Sequence, residues 1–204
     1  MKVAIGADRP DTHDDLGPPQ RADARRNVGA LLRAAMTIFA DAGVDAPMRS
    51  IAAAAGVGVG TPYRHFPQRS DLIKAIIQRE VDGCVAAAAT IRATRPAGAA
   101  LEAWAQRLVD LAATKRGLGP ALHSGEAAYQ ALPLYILGQL TPALSGLLDA
   151  AAATGEIRTD IDARELLFAI LRLAGPASEG EAPEARRMVA LLIDGLRFGA
   201  GGTG

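Results

Sequence analysis

Between positions 49 and 69 the chain gathers two guanidinium groups, a phenol, an imidazole and a hydroxyl among seven residues: Arg49, Val59, Gly60, Thr61, Tyr63, His65 and Arg69. Guanidinium groups attract phosphate oxygens, and phenol and imidazole groups donate hydrogen bonds to the same oxygens. A threonine hydroxyl and a valine methyl suit base edges, the methyl fitting the thymine methyl in a major groove. Side chains of these types hold a nucleic acid without breaking a bond in it. The plainer alternatives are that Tyr63 packs between helices with its hydroxyl outward, and that His65 is a surface or capping histidine.

Chemistry of the catalytic kind is hard to assemble elsewhere. Gly56-Val57-Gly58-Val59-Gly60-Thr61 puts threonine where a dinucleotide fingerprint needs its third glycine, and no strand pattern precedes it. No phosphate loop ending in Gly-Lys-Ser/Thr occurs. His13, His65 and His123 lie far apart, without metal-ligand spacing. His123 and Ser124 are adjacent, but chain neighbours do not make a nucleophile and its base, and there is no Gly-x-Ser-x-Gly elbow. No catalytic residue, metal or cofactor is expected, and the protein is read as a non-enzyme.

The stretch Pro47 to Arg69 has to position the seven residues. It reads as two short helices and a tight turn. Ile51 to Ala55 is a brief apolar run, broken at Gly56-Val57-Gly58, where glycine readily takes a left-handed conformation. A second helix then fits from about Val59 to Phe66. Pro62 is tolerable only in that helix's first turn, and Pro67 ends it. Two helices crossing steeply over a glycine turn form a helix-turn-helix motif, about 47–66, whose second helix enters the major groove. Ile51, Ala55, Val57 and Phe66 form the small core beneath.

Ile51-Ala52-Ala53-Ala54-Ala55-Gly56-Val57, then Gly60-Thr61, then Tyr63-Arg64-His65-Phe66-Pro67, resembles the DNA-binding signature of the tetracycline-repressor (TetR) family. The likeness covers roughly residues 24 to 80; beyond them only helicity and length agree. It implies that Tyr63, His65 and the cation at Arg69 clamp the DNA backbone. It also implies a small-molecule effector and pairing through the last two helices. The family often has Thr where Pro47 stands, Ser at Gly58, Leu at Pro62 and Lys at Arg69.

Charge fits that division. The whole chain balances 22 Lys/Arg against 22 Asp/Glu. Residues 21–79 nevertheless hold nine cations against four acids, and residues 96–204 nine against twelve. A basic module joined to an acidic one concentrates the phosphate-seeking field at one end; an ordinary solvated face has the same composition. Cys84, the single cysteine, excludes an internal disulfide, suits a reducing cytoplasm and reads as a small buried hydrophobe. Residues 1–20, rich in aspartate and proline, read as a disordered tail without the apolar core of a signal peptide. No apolar run of membrane-spanning length stands out, so no membrane partner is expected and a cytoplasmic protein is.

The remaining elements are helical, and the fold class is all-α. The periodicity predicts a first helix over 24–41 stopped by Gly43, within a helix-turn-helix domain at 21–70. A connecting helix follows over 71–95, starting near Ser70. The helical domain at 96–204 would bind effector and dimerise. Pro133 should kink or split a helix begun near Glu126, and Thr141-Pro142 should open another. Asp162 with Glu165 reads as an N-terminal capping pattern. Trp104, Leu108, His123, Tyr129, Tyr135 and Phe168 could line a pocket for an unidentified, largely apolar ligand, though each also serves as core. The helices at about 163–174 and 184–198 are apolar on more than one side, which makes Leu167, Ile170, Leu171, Leu192 and Leu196 candidates for a homodimer interface.

The expected protein is a ligand-released repressor that binds a double-stranded inverted-repeat operator as a homodimer. A ligand-independent regulator or activator with the same head is the alternative, and a helical enzyme or scaffold the remote one.

Overall fold

The computed structural model describes residues 18–114, 118–175 and 182–198. These form helices α1 (Pro18–Ala42), α2 (Met48–Ala55), α3 (Gly60–His65), α4 (Arg69–Thr94), α5 (Ala97–Thr114), α6 (Gly119–Leu122), α7 (Leu132–Ala153), α8 (Ala163–Leu173) and α9 (Ala182–Gly195), with a 3-10 turn at Ala127–Tyr129. No strand occurs among the described residues. Most of the expected tail, residues 1–17, lies outside them, but α1 already begins at Pro18, where a proline at the first helical positions forfeits no needed hydrogen bond.

The first three helices enclose a small core of their own. Leu31, Leu32, Ala35 and Phe39 of α1 are buried with Met48 and Ile51 of α2 and Phe66 after α3. Gly43 and Gly56 close α1 and α2 at φ 77° and 68°, a region side chains with a Cβ seldom enter. Thr61 N–H donates to the Gly58 carbonyl at 2.9 Å, and α3 starts one residue later than the sequence predicts. Pro62 sits in its first turn, where no N–H is missed.

α4 joins this head to the rest. A helix rising about 1.5 Å per residue makes its 26 residues roughly 39 Å long. At its start Asp71 accepts from the Gln68 N–H at 3.1 Å, in a reciprocal capping box. Arg79 donates to the Gly29 carbonyl of α1 at 3.0 Å. Further along, the fully buried Trp104 of α5 donates its indole N–H to the Cys84 carbonyl at 2.9 Å, and Tyr135 of α7 donates to Asp82 at 2.6 Å. Cys84 is buried, as expected, and burial pushes its thiol up to about 11.

Two expectations about proline fail, each corrected by where the proline falls in α7. Pro133 neither kinks nor splits a helix: it takes the second position of α7, where its ring is harmless. Pro142 does not open a helix either, but lies inside the continuous α7. Ile136 and Leu140 before Pro142, and Leu144, Leu147 and Leu148 after it, are all buried, and α7 packs against α4, α5 and α8. That packing outweighs one absent backbone hydrogen bond on an exposed side. The stretch Ala127–Ala153 is also the one helix among the described residues long and apolar enough, by composition, to cross a membrane. Its apolar stripe is here part of the core of the helical domain.

α5 starts where a carboxylate receives it. Glu156 accepts from the Gly98 N–H at 3.1 Å, and a Cβ on Gly98 would lie 2.5 Å from Glu156 Oε2, so a larger residue there must displace the end of that side chain. Asp162 accepts from the Glu165 N–H at 2.9 Å and caps α8 as the sequence predicts. The core then continues through Leu167, Ile170, Val189 and Ile193, closing α8 and α9 onto α5.

Candidate nucleic-acid interface

α3 turns Pro62 inward and leaves the opposite side to solvent. Val59 is 65% exposed and Tyr63 57%, one helical turn apart, so an apolar and an aromatic side chain are both open to a partner on that side. Gly60 and His65 are exposed beside them, and Thr61 is half-buried. The His65 ring lies 6.3 Å from the buried Phe66 ring, tilted by 52°. Five of the expected residues are thus brought together on or around one short helix. Arg49 is exposed on α2, with no ion pair among the described residues.

Sequence reasoning passed over Arg64. It is exposed, carries no ion pair among the described residues, and its guanidinium lies 3.7 Å from where a Gly60 Cβ would be. The signal was present: Arg64 stands four residues after Gly60, as Tyr63 does after Val59, so the four share one face.

Arg69 differs from its expected place. It is half-buried, and one Nη donates to the carbonyls of Val44 and Ala46, the latter at 2.7 Å. Its guanidinium ties the start of α4 to the α1–α2 loop, and so sets α2 against the helix that follows the motif. Lys74 is likewise engaged, 2.9 Å from Asp71. Among the described residues, the exposed head cations without an ion pair are Arg25 and Arg33 on α1 together with Arg49 and Arg64.

The six residues expected around a ligand are not gathered. Trp104 and Leu108 are fully buried in the α4–α5 packing. Tyr129, in the 3-10 turn, is buried near the charges of Arg69 and Asp71 at the foot of α4; burial is the first cause that raises its pKa, and Glu126 adds to the rise. Tyr135 is held by Asp82, and desolvation and that bond push its phenol up to about 12. His123 is exposed, its Nδ1 2.8 Å from the Gly119 carbonyl. Phe168 is 39% exposed under the Arg164 guanidinium, which stands 5.6 Å from its ring centre.

The residues expected at a dimer interface divide. Leu167, Ile170 and Leu196 are buried within the chain and unavailable to a partner, while Leu171 and Leu192 are half-buried. The outward apolar side of α8 and α9 is instead Phe168, Met188, Leu191 and, in the turn after α9, Phe198, with Leu191 67% and Phe198 79% exposed. Each helix has two apolar stripes. Sequence alone does not say which one meets α5.

Residues 31–76 match the family described as bacterial regulatory proteins, tetR family, and residues 96–198 match the C-terminal domain of transcriptional regulators like SbtR. A TetR transcriptional regulator from Streptomyces coelicolor is 36% identical, with a TM-score of 0.71, over 83% of this chain and 98% of that one. A TetR regulatory protein from Mycobacterium vanbaalenii is 34% identical, with a TM-score of 0.68, over 87% and 98%. An HTH-type transcriptional regulator of Staphylococcus aureus is 41% identical over 63 residues, 30% of this chain. The match spans about a third, 34%, of the length of that curated relative.

Proposed function

The chain belongs to the TetR family of transcriptional regulators, and on that premise we propose that it is a repressor that holds an inverted-repeat operator as a homodimer and leaves it when a small molecule binds. The observation that carries the DNA-binding part is the exposed pair Val59, at the start of α3, and Tyr63 within it, together with the exposed Arg64 on α3 and Arg49 on α2, which make no ion pair among the described residues. Apolar contact and a hydroxyl from Thr61 read base edges, while Tyr63, His65 and the guanidinium groups hold phosphates. Two such helices related by a two-fold axis fit an inverted repeat. The outward stripe Phe168, Met188, Leu191 and Phe198 supports the pairing. A reducing cytoplasm, where such an operator would be met, suits the lone buried thiol of Cys84.

Release follows from linkage. An effector that prefers the DNA-incompetent dimer shifts the population by its differential affinity. α4 is the natural lever, since Arg69 and Arg79 tie it to the head while Trp104 and Tyr135 tie it to the helical domain. A ligand-independent regulator or activator is the second reading. It is favoured by the dispersal of the six expected pocket residues between core and surface.

Electrophoretic mobility of DNA from upstream of the protein's own gene tests the first step. The wild type should retard it, and Thr61→Ala with Tyr63→Ala should not, while keeping wild-type helicity. Equal retardation by the folded double variant would remove α3 from the interface.

A further inference from the structure

We propose that the groove between the outer side of α7 and the start of α8 binds an aliphatic amine, and, resting on the ligand-released reading above, that this groove is the effector site. The cavity measures about 710 Å³, within the size of small-molecule sites. None of the six residues first expected around a ligand lines it.

The α7 wall is a row of acceptors. Pro142 has no N–H, so the Gly138 carbonyl receives no amide one turn on, and open space lies where a Gly138 Cβ would point. Thr141 lies three residues on, and Ser145 and Asp149 continue the stripe at four-residue steps. Asp149 is exposed and has neither an ion pair nor a side-chain hydrogen bond among the described residues. An ammonium group has three donors and no acceptor, which suits the Asp149 carboxylate together with the Ser145 hydroxyl one turn before it.

Charge and shape point the same way. Two carboxylates, Asp149 and Asp162, line the groove against one guanidinium, that of Arg164, which is stacked over Phe168. Asp162 also occupies the N-terminus of α8 by accepting from the Glu165 N–H, which leaves that end less open to an anion. The body of the ligand would meet Leu148, Ile161 and the Pro142 ring, and no aromatic ring lines the groove, so an alkyl chain fits better than a stacking ring system. The walls also connect to the rest of the molecule. α7 packs on α4, the lever to the head, and α8 carries Phe168 of the pairing stripe. A ligand wedged between them acts on both.

Calorimetric titration of the full chain with octylamine, and with octanoate as the anionic control, tests the site. Saturable binding of octylamine is expected, with octanoate weaker by about tenfold or more. Asp149→Asn should weaken octylamine by about the same factor, and Ser145→Leu, which fills the groove one turn before Asp149, should abolish binding without lowering the thermal midpoint. No saturable binding, equal binding of octanoate, or unchanged binding in both variants overturns the proposal. So does a change of sedimentation in the variants with no amine binding by the wild type, which would seat a second copy of the chain there. Mobility shift with added octylamine separates the two claims. Binding that both variants lose, with DNA affinity unaltered in the wild type, keeps the site and refutes its role as effector site.

Discussion

Arg69 shows how a side chain of the right charge can be held by something other than DNA. Its guanidinium donates to the Val44 and Ala46 carbonyls, whereas Arg49 and Arg64 are exposed and make no ion pair among the described residues. The three should therefore separate in a salt titration of operator binding. Arg49→Ala and Arg64→Ala should each lower the slope of log K against log salt by about 0.9 and leave thermal stability alone. Arg69→Ala should leave two partly buried carbonyls without their donor, costing about 1–3 kcal/mol of folding stability, with a smaller change in slope. A full unit of slope lost in Arg69→Ala at unchanged stability would return Arg69 to the phosphates.

Among the elements, α4 depends on how its first turn is closed. Asp71 accepts from the Gln68 N–H and pairs with Lys74, whose hydrogen bond holds the Asp71 carboxyl below its ordinary value of 3.8. Asp71→Ala should cost about 1 kcal/mol, the usual worth of a capping side chain. The sign with pH is fixed by the direction of the shift. A carboxyl with a depressed folded pKa stabilises fully above its unfolded value, and that contribution is lost as pH falls through the folded value. Urea unfolding should therefore separate wild type from Asp71→Ala at neutral pH, and the two should converge in strong acid. A gap that persists at acid pH would mean that the variant loses packing and not the charge. α7 teaches a different lesson: Pro133 and Pro142 carry the same local signal, yet one stands at the helix start and the other rides inside it. Burial of Leu140 and Leu144 around Pro142 decides the matter.

For the whole molecule, the question is which surface meets a second copy. Leu191 and Phe198 are exposed, while Leu167 is completely buried. In sedimentation and circular dichroism the wild type should be a dimer, and Leu191→Asp with Phe198→Asp a folded monomer. Leu167→Asp should instead lose on the order of 4 kcal/mol of stability, because it buries an unpaired charge. A folded, dimeric double variant would move the pairing surface away from α9.

The amino-acid sequence by itself determined what depends on neighbours along the chain. The turn at Gly56, the first-turn place of Pro62, the stop at Gly43 and the Asp162 cap are set by φ preferences and by hydrogen bonds that reach three or four residues. The exposed set on α3 was legible for the same reason, since a six-residue helix with Pro62 and Phe66 inward has one other side to offer. Tertiary structure decided what depends on partners far away. Arg69 is drawn to carbonyls 23 and 25 residues earlier, the Gly98 N–H meets a carboxylate 58 residues later, and Tyr135 reaches Asp82 across 53 residues. The choice between the two apolar stripes of α8 and α9, and the groove between α7 and the start of α8, belong to the same class. Hydrophobic burial is non-directional, so a helix with two apolar sides turns inward whichever one the rest of the core can cover.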